Sequence, residues 1–115
     1  MRLIIQEDRK RVQLFAALYI AKRINDFAPT SSKPFVVAMP CGRSVVGAYA
    51  HLARLYKEGK VSFENVVMFC IDEYVGLDRN DELSQHTYMV STDTMAAALY
   101  SLVCQRASQP NDDLI

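Results

Sequence analysis

The sequence has no net charge, because thirteen Lys and Arg balance thirteen Asp and Glu across its 115 residues. Without a net field, nothing holds a nucleic-acid backbone or an anionic membrane over distance, so an anionic ligand has to be small and bound locally. Glycine and proline are scarce, four of each, and 50% of the residues are hydrophobic with 23% charged. That composition excludes disordered and collagen-like chains. Cysteine is scarce as well. Cys41, Cys70 and Cys104 form no C-x-x-C and cannot all pair with one another, which excludes a disulfide scaffold and suits reduced thiols in the cytoplasm. The longest apolar stretch, 12–21, is interrupted by Gln13 and at about ten residues is far short of a membrane span. It follows Arg9-Lys10-Arg11 as a signal peptide's core would, but Lys22-Arg23 comes at once and no small-x-small cleavage site precedes Asn25-Asp26. What is present suffices for one domain, whose folding removes roughly 60 to 70% of the unfolded chain's surface from water.

Leu3-Ile4-Ile5 reads as a short strand, and Glu7-Asp8 put negative charge in the first turn of a helix over 7–27. Leu14, Ala17, Leu18, Ala21, Ile24 and Ala28 form its apolar face, with Gln13 on the polar side, until Pro29 ends it. The run 35–39 lies between Pro34 and Pro40 and reads as a strand covered on both faces. A second helix follows from Ser44 to near Gly59, burying Val45, Ala48, Tyr49, Leu52, Leu55 and Tyr56. A second doubly buried strand occupies 66–71. Strand, helix, strand over 34–72 is a βαβ unit with a parallel sheet. A hydrophilic loop is expected over 78–84, a further helix over 94–106 and a polar tail over 107–115.

Ligands in open α/β sheets bind beyond the carboxyl ends of the strands, here at Cys41-Gly42-Arg43-Ser44 and at Asp72-Glu73-Tyr74. The first segment leads into a helix N-terminus, where backbone N–H groups, a hydroxyl and a guanidinium converge on a phosphate; an ordinary turn with Ser44 as N-cap has the same spacing. Gly42 and Gly47 mimic a P-loop, but Ala48-Tyr49 stand where Lys and Ser/Thr are required, and no G-x-G-x-x-G is present. Asp72-Glu73 read either as a half-buried general base with its neighbour or as a solvated acidic pair. His51 and His86 have no ligand at metal-binding spacing, and Asp78-Arg79-Asn80-Asp81-Glu82 lacks the Gly of a calcium loop. Cys41, with no base nearby in sequence, reads as a passive small residue.

Four segments together, Met1-Arg2-Leu3-Ile4, the run from Phe35 to Pro40, Gly42-x-Ser44 and Asp72-Glu73-Tyr74-Val75-Gly76-Leu77, resemble the glucosamine-6-phosphate deaminase family. Ser62-Phe63, Arg79 and Ser84-x-His86-x-x-Met89 extend the likeness over 1–89. The related sugar-phosphate lactonases typically place Arg after the Asp-Glu pair, so Tyr74 argues for the deaminase branch. The resemblance implies a Rossmann-like α/β sandwich with a parallel sheet, here truncated to about three strands with flanking helices. It also implies a cofactor-free conversion of glucosamine 6-phosphate and water to fructose 6-phosphate and ammonium. Asp72 matches the base that moves a proton between C2 and C1, Glu73 supports it, and Gly42, Arg43 and Ser44 occupy the phosphate loop.

That loop departs from the family's Gly-Gly-Ser/Thr-Pro at Arg43 and Val45. Arg43 either supplies charge or fills the space the phosphate needs, and Gln85 replaces a family Tyr. The likeness fades over 90–115, and the family's His-containing ring-opening group and C-terminal basic ligands have no counterpart. The expectation is therefore an N-terminal portion that is inactive by itself. The competing expectation is a non-catalytic fragment that binds sugar phosphate, or that associates with itself or with an intact deaminase through an uncovered sheet edge. A 6-phosphogluconolactonase-like hydrolase is the third.

Overall fold

The computed structural model describes residues 3–78 and 80–91. The order of elements is α1 (Arg9–Phe27), β1 (Phe35–Met39), α2 (Val46–Lys57), β2 (Val66–Cys70) and α3 (Gln85–Ser91). The strands pair in parallel, Phe35 opposite Val66 and Met39 opposite Cys70. The expected βαβ unit and α/β class are present, with a two-stranded sheet among the described residues. Leu3-Ile4-Ile5 joins no strand, and Leu3 and Ile5 are exposed. A three-residue run can make too few ladder bonds to offset the entropy of fixing it at an edge. The expected helix over 94–106 and the tail lie outside the described residues.

Helix α1 begins two residues later than its charge pattern suggests. Asp8 is the N-cap rather than a first-turn residue, and its Oδ1 accepts a 2.8 Å hydrogen bond from the Arg11 amide. The buried face is Ala17, Ala21 and Ile24, while Leu18 is turned outward with Phe15 and Tyr19. Gln13, expected on the polar side, instead reaches toward α2, where its side chain lies over Gly47 and Nε2 donates to the Ser44 carbonyl at 3.1 Å. A side chain at Gly47 would displace it, so glycine here is a matter of close helix approach. Ala28 closes α1 in the left-handed region at φ 49, its amide bonded to the Ile24 and Asn25 carbonyls. A Cβ is strained there. Ala28→Gly is expected to stabilise the fold by about 0.5–1 kcal/mol, read as a higher denaturant midpoint with an unchanged slope.

Helix α2 ends as its Gly59 predicts. With φ at 69, Gly59 donates to the Tyr56 carbonyl and Lys60 to that of Leu55, the paired bonds of a Schellman cap. Its start is corrected: α2 begins at Val46 with Val45 as a cap that makes no side-chain bond, so Ser44 does not cap it.

One cluster joins Ala17, Ala21 and Ile24 of α1, Tyr49, Leu52 and Leu55 of α2, Met39 and Met68 of the sheet, and Met89 of α3. It lies on one face of the sheet. The opposite face is open, with Val36 58%, Phe69 49% and Ile71 57% exposed. The continuous apolar runs led to an expectation of cover on both faces. Helices α1 and α2 pack against each other on the same side, leaving the other bare among the described residues.

Candidate active site at the carboxyl ends of the strands

Parallel pairing brings both candidate segments to one edge, because Met39 and Cys70 are register partners and the chain leaves the sheet just after each. From Met39 the chain runs through Pro40 and Cys41 into a turn closed by the Val45 amide on the Gly42 carbonyl at 3.3 Å. Gly42 has φ 137, a conformation L residues rarely adopt. Helix α1 steadies the turn from outside: an Arg9 guanidinium nitrogen donates to the Arg43 carbonyl at 3.0 Å, beside the bond from Gln13 to Ser44. The side chains of Arg43 and Ser44 stand at the exposed edge. Beneath them the buried Tyr49 hydroxyl donates to the Pro40 carbonyl. Sequence periodicity assigns Tyr49 to packing alone; nothing in it signals a hydrogen bond back to the strand end.

After β2 the ladder continues one step, with the Ile71 amide on the Met39 carbonyl at 3.2 Å. Asp72 follows and is exposed, which matches the solvated placement rather than the half-buried one of the two readings of the acidic pair. The sheet stops at Cys70, and among the described residues no element closes over the position. Glu73 is more constrained than a supporting neighbour. Its Oε1 accepts from the Tyr74 amide at 2.9 Å and the Gln85 amide at 3.0 Å, and its Oε2 from the Ser84 hydroxyl at 2.8 Å and the His86 amide at 3.1 Å. The Gln85, Tyr74 and His86 amides, with a smaller share from Ser84, hold this carboxyl down at about 2.

The bonds to Gln85 and His86 satisfy amides at the start of α3, a helix the hydropathy pattern did not reveal. Ser84, expected in a hydrophilic loop, is 1% exposed, and its Oγ also accepts from the Thr87 amide at 3.3 Å. Within the loop, Asp78 and Asp81 accept from Asn80 and Leu83 in tight polar turns. An open cleft of about 560 Å³ lies between Tyr74, Val75, Leu83, Gln85 and Tyr88; neither Asp72 nor the Gly42 turn lines it. Among the described residues no group of three His, Cys, Asp or Glu is placed to hold a metal ion, and no helix is long and apolar enough to cross a membrane.

The carboxylates lie close enough to the turn to act on Cys41. Burial, then contact with the Cys70 thiol, then the charges of Asp72 and Glu73 push the Cys41 thiol up to about 12. A thiol so raised is neutral at physiological pH, which accords with the passive role expected of it.

A glycine turn and an acidic pair, both beyond parallel strand ends, define a Rossmann-like α/β segment with its ligand edge exposed. Comparison with known proteins makes the relationship particular. No family model matches the chain. Glucosamine-6-phosphate deaminase of Borrelia garinii is 43% identical over 89 residues, 77% of this chain and 33% of that protein. That of Tolumonas auensis is 47% identical over 89 residues, 77% of this chain and 34% of its own. That of Yersinia enterocolitica is 50% identical over 91 residues, 79% of this chain and 34% of its own. A solved monomeric glucosamine-6-phosphate deaminase, described as a missing link of the NagB superfamily, superposes with a TM-score of 0.69 at 27% identity, over 79% of this chain and 36% of that one. Over 89 to 91 residues the chain is thus similar to the first third of glucosamine-6-phosphate deaminases, and it spans about a third of the length of the relatives it matches.

Proposed function

We propose that this chain carries the proton-transfer edge of a glucosamine-6-phosphate deaminase and does not complete the reaction alone. The observation that carries the reading is the placement of Asp72 beyond a parallel strand, across from a glycine turn, within a stretch 43–50% identical to enzymes of that name. Asp72 acts as the base that moves a proton between C2 and C1 of the opened amino sugar. Glu73 fixes the backbone beside it, and the amides of the Gly42–Ser44 turn, with the Ser44 hydroxyl, receive the phosphate. Turnover of the sugar requires ring opening, proton transfer and phosphate anchoring together. Groups that act as one unit leave no proportional activity when most are missing.

The purified 115-residue chain is expected to release no ammonia from glucosamine 6-phosphate above background, and to self-associate through the bare sheet face. Ammonia release by a monodisperse preparation, abolished by Asp72→Asn, would overturn this. The role of Arg43 is separable. If its side chain obstructs the phosphate, Arg43→Gly tightens binding of the sugar phosphate in calorimetry, and if it pairs with the phosphate the same change weakens it. We favour obstruction, since such turns hold phosphate by close backbone approach. The non-catalytic reading, association with an intact deaminase, is supported by the same open face and predicts co-elution of the two proteins in size-exclusion chromatography.

A further inference from the structure

Two thiols meet where β1 and β2 end. Cys70 is the register partner of Met39, and Cys41 follows Met39 by two residues, so adjacent strands deliver both to one edge on the helix-covered face. Neither is in a disulfide, both are half-buried, and their thiols are hydrogen-bonded to each other. Tyr49 of α2 packs beside them, its hydroxyl anchored on Pro40. The facing charged groups are the carboxylates of Asp72 and Glu73.

We propose that Cys41 and Cys70 form a thiol–disulfide couple, oxidised by exchange with a low-molecular-weight disulfide such as glutathione disulfide. The thiolate of one cysteine attacks a sulfur of the small disulfide. That S–S bond breaks, a mixed disulfide forms, and one glutathione leaves as a thiolate that takes up the released proton. The second cysteine then attacks the protein sulfur of the mixed disulfide and expels the other glutathione. In sum, two protein thiols and one glutathione disulfide give one protein disulfide and two glutathione thiols. Contact between the sulfurs makes the second step intramolecular, so the mixed disulfide is short-lived.

Burial and the two carboxylates disfavour the Cys41 thiolate, with two consequences. Oxidation is slow at neutral pH, because little nucleophile is present. The disulfide, once formed, is hard to reduce, because the reduced form gains nothing from a stabilised thiolate, the reverse of a strongly oxidising pair. Since Cys41 opens the turn that presents Gly42 and Ser44, the bond would tie that turn to the end of β2. The inference does not depend on the deaminase reading.

The test uses the full chain carrying Cys104→Ser, equilibrated in glutathione redox buffers, acid-quenched, alkylated and weighed intact. The expected product has lost about 2 Da, with both thiols protected together and residues 41 and 70 in one linked peptide, and its rate of formation rises about tenfold per pH unit from 7 to 9. Adding Cys41→Ala should instead leave a stable glutathione adduct on Cys70. In denaturant, where contact is lost, the same bond should require a glutathione disulfide excess at least about tenfold higher. A chain that stays fully alkylatable, one that accumulates a single glutathione adduct, or equal oxidation in folded and denatured protein would each overturn the proposal.

Discussion

Asp72→Asn is expected to lower turnover by about 10²- to 10⁴-fold when residues 1–89 are joined to the remaining two thirds of a homologous deaminase. The carboxamide has nearly the size of the carboxylate but cannot accept the proton, so the change removes the chemistry and spares the packing. Asp72 is exposed at the strand end, which leaves little structural cost to confuse the result. The loss should fall on kcat, with KM little changed, because the proposed phosphate contacts lie on the turn across the edge. An active chimera whose rate is unchanged by the substitution would remove Asp72 from the role.

The second large effect is expected at Glu73. Its carboxylate bonds span the loop, from Tyr74 beside it to Ser84, Gln85 and His86 at the start of α3. Losing charge-assisted bonds of this kind exposes the amides they protect. Glu73→Ala should speed hydrogen exchange at the Gln85 and His86 amides by at least about tenfold. Glu73→Gln should fall between, since one oxygen still accepts while the amide group faces a donor.

The sign of the pH dependence follows from the depressed folded value. The ordinary value is 4.5 and the folded one about 2, so the contribution is complete above 4.5 and is lost as pH falls toward 2. Acid should therefore loosen the loop and α3 across that window in the parent protein, and the Glu73→Gln variant should show no such transition. Unchanged amide exchange in Glu73→Ala would refute the clasp.

Much of the segment was legible from local rules. Proline and glycine bounded β1, Gly59 marked the end of α2 through its left-handed cap, and apolar runs at 35–39 and 66–71 called for a parallel pair. The edge carrying Asp72 and Gly42 followed from that pairing, because parallel strands send both chain ends out on one side. The site residues were legible only as candidates, since an acidic pair after a strand has the same local pattern whether it is catalytic or solvated.

By itself, then, the sequence determined the βαβ order, the places of the two paired strands and the shared edge, all of which depend on neighbours in the chain and on period-based burial. Tertiary structure decided what depends on distant partners. Gln13 turned inward because Gly47 of α2 leaves room for it. Leu18 turned outward although it lies on the helical apolar pattern. Glu73 found donors 11 to 13 residues away, and α3 became visible only with that carboxylate in place at its start. The open sheet face has the same origin. A continuous apolar run states that both faces want cover, but only the packing of α1 with α2 on one side determines which face receives it.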